Sequence, residues 1–196
     1  LLALLDLRPG ATIADIWPGD YWDRLFSTLV GSTGKVYAVH FVEGDKDDKI
    51  VTPPSGSKSL PGHDNVTVVV SHPNRFSLPT RADIVWIRQN YHDLYDRFMG
   101  PADVAAFNRA VFQSLKPGGR FVVIDHVAPA GSGLRSTDTT HRIDPERVKA
   151  DAARAGFRLV AVSDVLRNPA DPHTATVFEG PIRGHTDQFV YVFKRP

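Results

Sequence analysis

An α/β fold, with helices on both faces of a mostly parallel sheet, is predicted by three features of this chain. Residues 9–40, PGATIADIWPGDYWDRLFSTLVGSTGKVYAVH, run strand, tight turn, helix, glycine turn, strand. Short apolar runs recur downstream: VTVVVS at 66–71, ADIVWI at 82–87 and RFVVID at 120–125. Between the last two lies a helical stripe of Val104, Phe107, Val111 and Leu115. Apolar strands alternating with amphipathic helices belong to parallel sheets covered on both sides. Ligands of open sheets of this kind sit beyond the carboxyl ends of the strands.

Each element has a local reason. Residues 1–7 are apolar and predict the end of a helix lying against the sheet. Residues 11–16 form a buried parallel strand, which Trp17-Pro18-Gly19-Asp20 breaks, because proline fixes φ and glycine lets the backbone turn. Residues 21–30 place Leu25, Phe26, Leu29 and Val30 on one helical face, and 35–41 make the second strand. Residues 43–65 are rich in charge, proline, glycine and serine and predict a loop. The third and fourth strands follow at 66–71 and 82–87. A helix is predicted over 101–115 with Pro101 near its first turn, stopped by Lys116-Pro117-Gly118-Gly119 before the fifth strand. After an irregular stretch at 127–143, Asp144 and Pro145 open a helix that runs through Ala155 and ends at Gly156. Residues 157–163 and 189–193 supply two more strands around a polar, proline-bearing segment at 167–188.

The turn PGATIAD-IWPGDY and the following VGSTGKVYAV resemble the first motif of class I S-adenosylmethionine-dependent methyltransferases. LKPGGRFVVID resembles the segment that enters the fifth strand of that class. NYHDLY, HRIDP with a later AGF, and RGHTDQFV are similar to a bacterial group of methyltransferases of unassigned substrate. The resemblance implies one Rossmann-like domain over residues 1–196. Its seven-stranded sheet would have the order 3-2-1-4-5-7-6, the last strand antiparallel. It also implies S-adenosylmethionine as cofactor, with Asp15 as the acid ending the first strand. Trp17, Gly19 and Tyr21 stand at the three glycine positions of the turn, so only the middle glycine is retained. His40, or Glu43 three residues on, occupies the place of the ribose-binding carboxylate. Phe76 would lie against the adenine or else pack under its loop, and Asn90 would follow the fourth strand into the same site.

Those departures keep a second reading open, a non-catalytic protein of the same fold that binds another ligand or a protein partner. A nicotinamide dehydrogenase fits less well, since no G-x-G-x-x-G follows the first strand, and the chain has no G-x-S-x-G hydrolase elbow. The net charge of +1 gives no reason to expect nucleic acid, and no apolar run approaches the ~20 residues of a membrane helix. With no cysteine there is neither a disulfide nor a thiol nucleophile. The expected setting is the cytoplasm, or the periplasm after removal of a leader, with a possible homodimer.

Methyl transfer needs an acceptor held in line and one proton removed. Polar residues beyond the fourth and fifth strands suit that task. His126 is the first candidate base and His92 the second, with Asp93 or Asp125 orienting an imidazole. The alternative is that these histidines only brace loops. Tyr91, His141, Arg142 and Arg183 are the candidate contacts to a small-molecule acceptor, an arginine clamping it if it is acidic. Arg183 could equally pair with Asp187 and pin its loop. The histidine and aspartate spacings carry no recognised metal signature, and neighbours such as Asp125 and His126 on a strand face opposite ways, so no metal is expected.

Overall fold

The computed structural model describes residues 1–41, 60–99 and 102–196. Among the described residues are seven strands: β1 (Thr12–Ile16), β2 (Lys35–Phe41), β3 (Val66–Ser71), β4 (Ala82–Arg88), β5 (Leu115–His126), β6 (Arg158–Ser163) and β7 (Gln188–Lys194). They form one sheet in the order β3-β2-β1-β4-β5-β7-β6. The first five strands in sequence pair in parallel, and β7 runs antiparallel to both β5 and β6. Order and polarity are those the sequence predicted. The helices are α1 (Asp20–Val30), α2 (Val104–Ser114), the single turn α3 (Thr137–Thr140) and α4 (Pro145–Arg154).

Alternation along the strands divides the core in two. Ala14, Ile16, Tyr37, Val39, Val85, Ile87, Phe121 and Val123 face α2 and α4, where they meet Phe107, Val111, Val148 and Ala152. Ile13, Val36, Ala38, Ile84, Trp86 and Val122 face the other way, against Phe26 and Val30 of α1 and Leu5. Asn65 anchors α1 by donating to the carbonyls of Ser27 and Gly31, each of which also accepts a backbone amide. Asp103 and Asp144 cap α2 and α4 through their carboxylates.

Three expectations change. Residues 1–7 hold only a 3-10 turn at Leu2–Leu4, because a few apolar residues are too short to sustain an α-helix without a partner. The 127–143 stretch, read as irregular, contains α3. The 101–115 helix starts later, at Val104, where Asp103 supplies the cap. Pro101 and most of the 43–65 loop lie outside the described residues.

Two buried acids join α1 to the sheet. Asp15 ends β1 and Asp23 lies on the first turns of α1; both are buried. Each has a carboxylate oxygen without a hydrogen-bond donor, Oδ2 and Oδ1 respectively. Burial, and then repulsion from Asp23, pushes the Asp15 carboxyl well above the usual range. Burial, and then Asp20, pushes Asp23 up to about 7. A proton shared by the two carboxyls relieves both.

The polar 167–188 segment is fastened by a second charged network. Arg142 is fully buried and makes a bidentate pair with Asp171, at 2.9 and 3.0 Å, while its Nε donates to the Ala175 carbonyl. Asp171 also accepts from the Asp187 amide, and Asp187 accepts from Arg167 and faces His173 at 2.9 Å.

Removing one member of the buried pair strands the other. Asp171→Ala should therefore cost about 3–5 kcal/mol of stability, read by urea denaturation, whereas exposed Arg183→Ala should stay within about 0.5 kcal/mol.

The acid pair makes a pH prediction. Asp23 binds a proton more tightly folded than unfolded, so its contribution to stability falls as pH rises from about 4 to about 7. Asp23→Asn should flatten that decline and raise the melting midpoint at pH 8, by about 2–4 °C per kcal/mol relieved, with little change at pH 4.

Candidate functional site

Functional side chains gather where β1, β2, β4 and β5 end. The turn after β1 keeps the backbone of a glycine turn although a tryptophan occupies it. Trp17 has φ 53°, in the left-handed region that favours glycine, at a cost of about 1–2 kcal/mol. Its amide donates to the Val39 carbonyl at 3.0 Å, and its ring meets Phe41 edge-on at 5.0 Å. Gly19 caps α1 in extended conformation, and a Cβ built on it would meet nothing within 4 Å. Its amide donates to the Asp15 carboxylate, so Asp15 holds the turn from beneath. Tyr21 is 70% exposed at the rim of this open space. His40, near the end of β2, is half-buried, and that burial lowers its pKa and leaves the imidazole neutral. Glu43 lies outside the described residues.

Beyond β4 the chain enters a 3-10 turn, His92–Tyr95, with Gln89 held at φ 61° before it. Asp125, fully buried at the end of β5, accepts three bonds at 2.8 Å: from the amide and ring Nδ1 of His92 and from the amide of His126. His92 Nε2 lies 3.0 Å from Asp93 Oδ1 and 3.3 Å from His141 Nδ1. Asn90 donates to the other oxygen of Asp93 at 2.7 Å. His141 ends α3 at φ 55°, its ring against Phe178. Asp96, unremarked in the sequence, completes this cluster with Oδ2 3.8 Å from His141 Nδ1. The signal that could have found it is the H-D-x-x-D spacing, which a tight turn folds onto one side.

The two candidate bases separate on electrostatics. Burial works against charge on His92, but Asp125 and Asp93 outweigh it and hold the group up at about 10. A proton held this way by two carboxylates weighs against His92 as the base expected from sequence. The same contacts hold Asp93 below the usual carboxylate range. His126 points to the tail, its Nδ1 2.7 Å from the Thr186 hydroxyl. Burial pushes it down to about 4, so it is neutral. The rings of His92 and His126 are 6.2 Å apart.

Other candidates leave the site. Phe76 is buried against Phe41 and Phe107, which makes it core and not an adenine platform. Tyr91 is fully buried with its hydroxyl accepting from Asn108, so it reaches no acceptor. Arg142 is consumed by Asp171 and cannot clamp a ligand. Arg183 is exposed, and Asp187, its supposed partner, pairs with Arg167 and His173 instead. A cleft of about 520 Å³ lined by Arg8, Lys116 and Arg120 opens at the amino ends of the strands, the wrong end for a ligand of a parallel sheet.

No protein-family model matches the chain. Among solved structures it resembles an S-adenosylmethionine-dependent methyltransferase from Aquifex aeolicus, with TM-score 0.66 and 18% identity over 100% of this chain and 87% of that one. One from Mesorhizobium loti superposes with TM-score 0.59 and 17% identity, covering 99% of this chain and 95% of the other. Aeropyrum pernix fibrillarin, solved with natively bound S-adenosyl-L-methionine, matches 96% of this chain and 68% of its own, with TM-score 0.56 and 13% identity. Together with the strand order 3-2-1-4-5-7-6 and the turn after β1, these similarities give the chain the fold of the class I S-adenosylmethionine-dependent methyltransferases.

Proposed function

We propose that this protein is an S-adenosylmethionine-dependent methyltransferase acting on a small-molecule acceptor. The observation that carries this reading is the turn after β1. It keeps a left-handed backbone at Trp17 at an energetic cost, and leaves open space over Gly19 at the amino end of α1. Strain of this kind persists where the surroundings demand a particular shape.

The residues present fit the cofactor. Beside the open space over Gly19 the first turn of α1 offers backbone donors and a positive helix end, and Trp17 and Tyr21 offer ring faces at the rim. His40 replaces the ribose carboxylate with a neutral imidazole, which can still hydrogen-bond hydroxyls. When bound, S-adenosylmethionine supplies a methyl group on an electrophilic sulfonium. The protein's own task is then to orient the acceptor and take its proton. His126 serves as the base: with Nδ1–H given to Thr186, Nε2 carries the lone pair. The His92 cluster borders the acceptor side, and an overall charge of only +1 suits a small molecule better than nucleic acid. Trp17 and Pro18 in the turn favour the second reading, a non-catalytic protein that binds another ligand or a partner.

Isothermal titration with S-adenosylmethionine and S-adenosylhomocysteine separates the two. The proposal expects micromolar binding that is abolished in Gly19→Trp, a variant that should stay folded because nothing lies within 4 Å of a Cβ there. A folded wild type that binds neither compound at millimolar concentration would support the non-catalytic reading.

A panel of phenols, carboxylates and amines, read by S-adenosylhomocysteine release, tests the chemistry. His126→Ala should slow turnover of any accepted compound by about 10²–10⁴-fold while cofactor affinity stays unchanged.

A further inference from the structure

Four potential ligand atoms face one another beyond β4: His92 Nε2, Asp93 Oδ1, an Asp96 carboxylate oxygen and His141 Nδ1. All lie within 4.8 Å of one another. The individual separations are 3.0 Å for His92–Asp93, 3.3 Å for His92–His141, and 3.8 Å for His141 to Asp93 and to Asp96. Ligands about 2.0–2.1 Å from one ion stand about 3.0–3.4 Å apart on adjacent positions and about 4.2 Å apart on opposite ones. The two shorter separations match adjacent positions, and the two of 3.8 Å fall between adjacent and opposite ones.

Hydrogen bonding alone does not account for the cluster. Asp96 is 1% exposed, and neither of its carboxylate oxygens has a hydrogen-bond partner. The Thr137 hydroxyl beside it donates to the Leu134 carbonyl at 3.3 Å and eases the Asp96 charge only in part, since burial still raises that carboxyl. His92 Nε2 and His141 Nδ1 also face each other at 3.3 Å, a meeting of imidazole nitrogens that a shared cation serves as well as a proton on one of them. A buried carboxylate without donors is costly, and a cation between it and the imidazoles removes that cost.

The surrounding contacts are those of a prepared site. Asp125 accepts from His92 Nδ1, so once a cation displaces the Nε2 proton that nitrogen faces the cluster with its lone pair, the orientation that carboxylates impose on metal-bound histidines. Asn90 occupies Asp93 Oδ2 and leaves Oδ1 facing inward. His141 is fixed at φ 55° by the end of α3 and by Phe178.

We propose that His92, Asp93, Asp96 and His141 bind one first-row divalent metal ion, for which two imidazoles and two carboxylates are suited where magnesium or calcium would take oxygen ligands alone. The site uses no residue of the turn after β1, so its occupancy can be read without methyl transfer.

The test uses the full chain, stripped with a chelator and titrated with zinc by calorimetry, and with cobalt(II) by visible absorption. The proposal expects one ion per chain, visible cobalt bands that zinc abolishes, and a higher melting midpoint with zinc. His141→Ala and Asp96→Asn should each weaken zinc by at least the roughly 10–100-fold seen when supporting partners of metal sites are lost. His141 is only half-buried, so its variant carries the test if Asp96→Asn does not fold. Absence of saturable one-to-one uptake would overturn the proposal, as would wild-type affinity in a folded His141→Ala protein. Because neither readout involves S-adenosylmethionine, failure here leaves the methyltransferase reading untouched.

Discussion

The carboxylate of Asp125 is the constraint from which the polar end of the molecule is built. It sits fully buried at the end of β5 and takes donors from two backbone amides and one imidazole. Buried carboxylates without such donors are expensive, so the chain leaving β4 has little freedom: it must return its His92 amide and ring to this point. That return folds residues 92–95 into a tight turn and sets Asp93, and with it Asp96, toward His141. A single side chain on one strand thus positions the loop of its neighbour.

Charge elsewhere is divided between holding and exposing. Arg142, Asp171, Asp187, Arg167 and His173 tie the polar tail segment down through pairs that are mostly sheltered from water. Their residue types resemble those of a binding loop, yet their contacts are spent internally. The rim after β1 is the reverse case, where Gly19 and Tyr21 stand in the open and Asp15 works from below.

Much of the fold was legible because it rests on short-range signals. Apolar runs marked the strands, helical spacing marked α1, and Asp144-Pro145 marked the start of α4 to the residue. The site was legible only in part. His126, His92, Asp93 and His141 were identified by type and by their position beyond strand ends, which topology dictates. Whether a polar residue faces a ligand or another side chain depends on partners distant in sequence. Arg142 and Asp171 are 29 positions apart, and nothing local to either announces their pairing. Phe76 and Tyr91 failed as site residues for the same reason, since the aromatic cluster that buries them comes from β2, α2 and β5. Asp96 was missed because a 3-10 turn, unlike an α-helix or strand, leaves no periodic signature.

The tryptophans have an optical consequence. Only three are present in the chain, and their surroundings differ sharply. Trp22 and Trp86 lie 5.0 Å apart, close enough for their excited states to couple and for energy to pass between them. Trp17 belongs instead to the turn after β1 and lies edge-on to Phe41. Ultraviolet light therefore addresses two distinct regions at once: an indole couple wedged between α1 and the sheet, and a lone emitter at the rim whose colour and lifetime follow whatever settles beside it.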